Sequence, residues 1–388
     1  MSTDQISKAA AKVDEDRLLE LFLELAKING PSTQEQHVAD YLTEALPKLG
    51  FTLEFDEAHK NFRGEVGNLI AWKEGTDPTI PPLFFSTHMD TVLPTEGLKP
   101  VIKDGVIYSD GTTILGADDR AAIAAYLEAV RAITESGVPH GPIEFVLTVN
   151  EQPGLVGARY MDYSKAKSRT GYIFDSSGDV GQIILRGPYS SRIWMEVKGN
   201  AAHIALNAEE GNSAFLIAAE GLSNMKLGEI DKETLANIGV MKGGELTSII
   251  PGSITVGGEV RSFSKEKLDH QLKAMEGAMQ EAAHKYGGSV ETRIEKKYSG
   301  FDISENHILT ETAQAAAHNI QVSPWLTETL GGADTNVLNE NGLTCLTLGL
   351  GFRNIHSFRE CISIENLINT GRLTAALIEE WYEKHKKA

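Results

Sequence analysis

Apolar positions in the first half of the chain follow two rhythms. Short β-rich runs that end in polar residues, "PPLFFSTHMD", "GPIEFVLTVNEQ" and "TGYIFDSSG", surround a longer stretch, "DDRAAIAAYLEAVRAITE", in which Ile123, Leu127 and Val130 recur at helical spacing. Strands alternating with helices predict an α/β unit built on a largely parallel sheet with helices on both faces.

From about "GPYSSRIWMEVKG" the rhythm changes. Strand-like "RIWMEVKG" leads to helical "EGNSAFLIAAEGLSNM", then to strand-like "NIGVMKGG" and "ITVGGEVRSFS". A long helical stretch, "SKEKLDHQLKAMEGAMQEAAHKYG", and strand-like "SVETRIEKKY" follow. This β-α-β-β-α-β order predicts a ferredoxin-like module. Helical "NHILTETAQAAAHNI" and strand-like "GLTCLTLGLG" then resume the first pattern. The second module therefore reads as an insertion, with residues 1–187 and 301–388 in one domain and 188–300 in the other; a chain of 388 residues is in any case long for one core.

Composition narrows the function classes. No apolar run approaches the ~20 residues of a membrane helix. With 36 Lys and Arg against 54 Asp and Glu, the net charge of -18 would repel a phosphate backbone, so neither nucleic acid nor an anionic membrane is expected as a partner. The opening "MSTDQISKAAAKVDEDRLLELFLELAKI" has no secretory apolar core or cleavage site and reads as a polar start running into an amphipathic helix. A cytoplasmic location is expected, and two cysteines, Cys345 and Cys361, fit a reducing compartment. Cys345, in "LTCLTLGL", reads as a core residue.

Ligands of an open α/β sheet bind beyond the carboxyl ends of its strands. Those ends carry His88 and Asp90 in "STHMDTV", Glu151 in "TVNEQPG", Asp175 in "IFDSSG" and His356 in "GFRNIHSF". Asp118 and Asp119, in "GADDRAA", stand where a glycine turn opens a helix. Any one of these is an ordinary polar residue or helix cap. Together they gather nitrogen and oxygen donors at one sheet edge without a thiolate, a set that suits zinc, cobalt or manganese.

"FFSTHMDTV", "SDGTTILGADDRAAIAAYLEA", "GLVGAR", "GNAAHIALNAEEGNSA", "GGADTNV" and "RNIHSF" occur in order from about residue 15 to the C-terminus. Together they resemble the peptidase T-like tripeptidases, within the larger family of two-metal aminopeptidases, aminoacylases and carboxypeptidases. The resemblance implies a phosphorylase/hydrolase-like catalytic domain with a mostly parallel central sheet and an inserted ferredoxin-like lid. It implies an exopeptidase acting on tripeptides or other short peptides, and a homodimer formed through the lid. His88 and Asp175 would bind one zinc, Asp118 would bridge to a second, and His356 with the residue at position 152 would complete that second site. Asp90 would fix the His88 tautomer, and Glu151 would be the general base toward water activated by the metals. His203 would reach across the dimer to stabilise the oxyanion, and Arg261 would hold a substrate carboxylate.

The chain departs from the family at telling places. Two consecutive glutamates are usual before "GLVGAR"; here they read Glu151 and Gln152. The base is kept, but a metal ligand loses its charge, so one zinc rather than two is expected if Gln152 does not coordinate. Ile204, Ala205 and Ala208 follow the lid histidine, Ser248 replaces a frequent asparagine, and Arg120 a common lysine. Two further readings stand beside the exopeptidase: an aminoacylase or carboxypeptidase on the same core, and a silent peptide-binding relative.

Overall fold

Continuous apolar runs form strands that are covered on both faces. The computed structural model of the chain describes residues 7–386; the expected polar start lies, for residues 1–6, outside the described residues. Contacts divide the chain into two units. One holds the residues through Leu185, Asp302–Glu328 and the chain from Ala333 on; the other holds Arg186–Phe301 with Thr329–Gly332.

The main sheet of the first unit is built from β1 (Thr52–Phe55), β2 (Leu69–Lys73), β3 (Leu83–His88), β4 (Ile143–Thr148), β5 (Thr170–Phe174), β6 (Gln182–Gly187) and β7 (Thr344–Leu348). They lie side by side in the order β1-β2-β4-β3-β5-β7-β6, with Phe301–Asp302 beyond β6. The central four, β4, β3, β5 and β7, are parallel. Antiparallel strands flank them, β2 and β1 on one side and β6 on the other. The sheet is thus parallel where it carries the candidate chemistry. Register aligns His88 with Thr148 and Ser86 with Ile173, so the residues that follow β3, β4 and β5 emerge at one edge.

Three helices fix that edge: α1 (Glu15–Lys27), α2 (Ala117–Ser136) and α3 (Ile364–His385). α2 is buried along most of its length, and alanines at 121, 122, 124, 125, 129 and 132 let α1 and α3 pack closely on it. Its buried Glu128 is answered by α1: Arg17 donates through Nε at 2.6 Å and Nη2 at 2.7 Å, and Asp14 N donates at 2.9 Å. Such a bidentate pair gives direction as well as energy. On the other face of α2, Tyr126 packs among Phe85, Phe145 and Phe174. Its hydroxyl donates to the Ser86 carbonyl at 2.7 Å and accepts from Phe174 N at 3.2 Å, joining β3 to β5 just before both reach the site.

The second unit has its own core, in which Ile193, Met195, Val197 and Val256 meet Met275 and Met279. Its strands run in the order Gly228–Asp231, Thr234–Gly243, Ser253–Ser262, Tyr189–Lys198, Ser289–Tyr298, all antiparallel. Without the short first strand, this is the ferredoxin-like order, with helices Ala214–Ser223 and Lys265–Tyr286 in the expected positions. The short strand was not foreseen: "GEID" is brief and mostly exposed, and carries no apolar alternation. Among the described residues no helix is long and apolar enough to cross a membrane.

Tyr126→Phe keeps the ring and removes the hydroxyl, leaving buried groups on two site-bearing strands short of a partner. It should lower unfolding stability by about 1–3 kcal/mol in urea titrations; an unchanged midpoint would show that the tie contributes nothing.

Candidate metal centre

His88 ends β3 fully buried. Its Nδ1 lies 2.9 Å from the Asp90 carbonyl, which can only accept, so Nδ1 carries the proton and Nε2 of the neutral ring presents a lone pair. That lone pair faces Asp118 Oδ1 at 3.0 Å. Two acceptors at this distance need a proton or a cation between them. The other Asp118 oxygen, Oδ2, faces His356 Nε2 at 3.3 Å and accepts from Gln152 Nε2 at 3.0 Å. One carboxylate therefore stands between two histidines. Asp175, the first residue after β5, completes a set with His88 and Asp118 in which each offers a donor atom within 4.8 Å of the others.

Asp118 is placed by the turn before α2. Gly116 adopts φ +74°, a left-handed conformation open to glycine. The backbone N–H groups of Gly116 and Asp118 both donate to one buried carboxylate, Glu360, at 2.8 and 2.9 Å. Glu151 and Gln152 are placed by the turn after β4. Asp90 Oδ1 accepts from Glu151 N at 2.9 Å, while Asp90 Oδ2 accepts from Gln152 N at 3.2 Å and from Ser32 Oγ at 2.6 Å. The glycine of "GLVGAR" has a steric reason: a Cβ on Gly157 would lie 2.0 Å from the Val149 carbonyl.

Electrostatically the site is an excess of desolvated carboxylates. Burial, reinforced by Asp175 and Asp334, pushes Glu151 well above its usual range. Burial and then Asp118 push Asp175 up to about 7, and burial pushes Asp334 up to about 6. Asp118 differs: burial would raise it, but hydrogen bonds from His356, His88 and Gln152 hold it below the usual range. Burial opposes the His88 cation, yet Asp118 and Asp90 favour it enough to raise the ring well above its ordinary value. A divalent cation would supply the positive charge this cluster lacks, and His88, Asp118 and Asp175 offer the nitrogen and oxygen donors that suit one such as zinc.

His88, Asp90, Asp118, Glu151, Gln152, Asp175 and His356 thus converge at one edge of the first unit. His203 and Arg261 belong to the second unit. There His203 Nδ1 accepts from Ala205 N at 3.2 Å, and Arg261 is held by Glu259 Oε1 at 2.7 Å and the Leu330 carbonyl at 3.0 Å. Residues that sequence reasoning did not place also close around the first-unit site. Thr87 Oγ1 donates to Asp119, and Thr148 Oγ1 to Asp334. Asp334 had a faint signal, an acid opening a helix after "GGA"; Glu360 had none.

Residues 84–380 match Peptidase family M20/M25/M40. Protein YqjE of Bacillus subtilis is 39% identical over 368 residues, covering 95% of this chain and 99% of its own. The solved aminopeptidase PepT of Bacillus cereus is 37% identical with a TM-score of 0.89, covering 95% of this chain and 99% of its own. A tripeptidase structure from Staphylococcus aureus is 37% identical with a TM-score of 0.92, covering 96% and 99%.

Zinc added at about a hundredfold over its Kd should stabilise the metal-free protein by about 2.7 kcal/mol in thermal melts, and chelator should reverse the gain. Glu360→Ala, which frees the turn behind Asp118, should weaken zinc binding by roughly 10–100-fold in competition with a chelating dye. Unchanged affinity would remove Glu360 from any part in placing Asp118.

Proposed function

The chain belongs to peptidase family M20/M25/M40, and from that premise we propose that it is a cytoplasmic metal-dependent exopeptidase releasing the N-terminal residue of tripeptides or other short peptides. One observation carries the proposal. Asp90 holds both a metal-type histidine and a buried carboxylate: its backbone carbonyl accepts from His88 Nδ1 at 2.9 Å and its side chain accepts from Glu151 N at 2.9 Å, so ligand and base share one frame. Solved relatives named as an aminopeptidase and a tripeptidase, each 37% identical over nearly the whole chain, supply the substrate class. Two free buried cysteines accord with a reducing compartment.

His88, Asp118 and Asp175 would hold zinc, with cobalt or manganese as substitutes, and His356 and Gln152 would serve a second ion beside Asp118. Bound metal would polarise the scissile carbonyl and bring the pKa of water down toward ~7. Glu151, desolvated and raised, takes the proton of the attacking water and returns it to the leaving amine, worth on the order of 10²–10⁴-fold in rate. Asp90 keeps the Nδ1 proton on His88 and so leaves Nε2 for coordination. His203 of a second copy would donate to the oxyanion, and Arg261, already oriented by Glu259, would pair with the substrate carboxylate.

Gln152 makes the two metal positions unequal. Its amide brings no charge, and its Nε2 is spent on the Asp118 oxygen that His356 also faces. Losing ligand charge should weaken the second site by at least ~10–100-fold, the range lost when only an outer partner is removed.

The second unit would pair with a second copy of the chain. Strand Gly228–Asp231 covers only Thr234–Ala236 of its neighbour, so among the described residues the outer edge from Asn237 to Gly243 has no strand beside it. Met241 and Leu246 are exposed there at 51% and 65%. A free edge with exposed apolar side chains is a template for self-pairing.

The decisive experiment measures metal content and hydrolysis of unblocked tripeptides for this protein and for Gln152→Glu. About one metal per chain, rising to about two with faster turnover in the variant, is expected. Two metals and equal turnover in both would make glutamine a full ligand. Neither metal nor hydrolysis would leave a peptide-binding relative, and cleavage only of N-acyl amino acids would move the activity to an aminoacylase. Met241→Lys should turn a dimer into a monomer in light scattering; a dimer that survives it does not use this edge.

A further inference from the structure

Arg120 is wholly buried, the largest of the fully buried side chains, and the one Lys or Arg in the buried class among the described residues. It stands two residues beyond Asp118, and a buried guanidinium is costly unless its charge is answered. Burial works against that charge, while Asp90, Glu35 and Asp119 favour it. Its Nη2 approaches the Gly30 carbonyl at 3.4 Å, and a Cβ on Gly30 would lie 2.8 Å from the same nitrogen, so the chain passes here as a glycine.

Glu35, itself wholly buried, links two loops. Its Oε1 accepts from Thr33 N at 2.9 Å and from Asn150 N at 2.8 Å. The 30–35 segment is in turn laced to the loop after β3. Thr91 N donates to the Gly30 carbonyl at 3.0 Å, Ser32 N to the Thr91 carbonyl at 3.1 Å, and Ser32 Oγ to Asp90. Asn150, held at φ +52°, is the residue before Glu151. Among the described residues, Arg120 Nε and Nη1, Glu35 Oε2, Asp119 Oδ1 and Asn150 Oδ1 have no hydrogen-bond partner. Buried donors and acceptors of this kind are satisfied by enclosed water.

We propose that Arg120 is a positioning residue for Glu151: its buried charge, bridged by enclosed water to Glu35 and Asp119, clamps the 30–35 segment against the Asn150–Gln152 turn. Arg120 acts through Glu35 and does not touch substrate. The planar fork of a guanidinium spans several acceptors at once, which the point charge of a lysine does not. The proposal rests on the metallopeptidase function for its catalytic consequence, but the clamp itself can be read without activity.

The test compares Arg120→Met, Arg120→Lys, Glu35→Gln and the double variant Arg120→Met/Glu35→Gln. A base displaced by about 1 Å loses on the order of 10²-fold in rate. Arg120→Met should therefore lower kcat by roughly 30–100-fold, with KM within about threefold and metal content per folded chain unchanged. Arg120→Lys should recover part of the loss, and the double variant should be no slower than the worse single one, because both break one clamp. Amide exchange over residues 150–152 should quicken at least about tenfold in Arg120→Met and in Glu35→Gln, while α3 keeps its protection. Should Arg120→Met not fold, Glu35→Gln with Arg120→Lys reads the same coupling. Unchanged exchange at residues 150–152, or losses in kcat that simply multiply, would overturn the proposal. A protein that cleaves no peptide while exchange behaves as stated would overturn the catalytic function and leave the clamp standing.

Discussion

Crowding like charges at one buried edge is the constraint from which the rest of the first unit follows. Glu35, Asp90, Asp118, Asp119, Glu151, Asp334 and Glu360 are all buried around the carboxyl ends of β3, β4 and β5. Unanswered, so many carboxylates would repel one another and stay protonated. Several are answered locally: by backbone N–H groups for Glu35 and Glu360, by hydroxyls for Asp119 and Asp334, by imidazoles and an amide for Asp118. What these local partners leave over is negative, and that remainder is what makes the edge a place for a cation.

Asp90 shows how little separates structure from chemistry here. Its two oxygens receive a hydroxyl and two backbone amides and stand beside the His88 ring. One residue thus meets the His88 ring through its backbone carbonyl and fixes, through its side chain, the turn that carries Glu151. Asp118 has the complementary character, with one oxygen toward each histidine. The substitution at Gln152 leaves this frame intact, because the backbone N–H of residue 152 is used by Asp90 whatever side chain it bears. The side chain at this position can therefore change without loosening the turn.

Much of this was legible in the chain. Strand-ending polar residues such as His88 and Asp175 could be read because an apolar run stops abruptly at them, and the inserted module because its β-α-β-β-α-β rhythm is unbroken. Asp118 was visible through the glycine turn before a helix. The remainder was hidden by sequence distance. Glu360 caps a turn 244 residues before it, and Glu35 reaches Asn150 across 115 residues. Nothing local marks such a carboxylate as buried; in isolation it has the look of solvated surface. Arg120 stood out only as a replacement for a common lysine; its burial was concealed in the same way, as that of a charge on a helix followed by alanines.

The residues that close the site come from both ends of the chain: Ser32 and Glu35 near its start, His356 and Glu360 near its finish. The second unit is drawn almost wholly from one continuous stretch, Arg186–Phe301. During synthesis that stretch can leave the ribosome and pack its own core while His356 and Glu360 are still untranslated. The turn that holds Asp118 has no carboxylate to grip until Glu360 emerges. The turn before α2 therefore takes its final hold only once residue 360 has been made, long after the helix it opens.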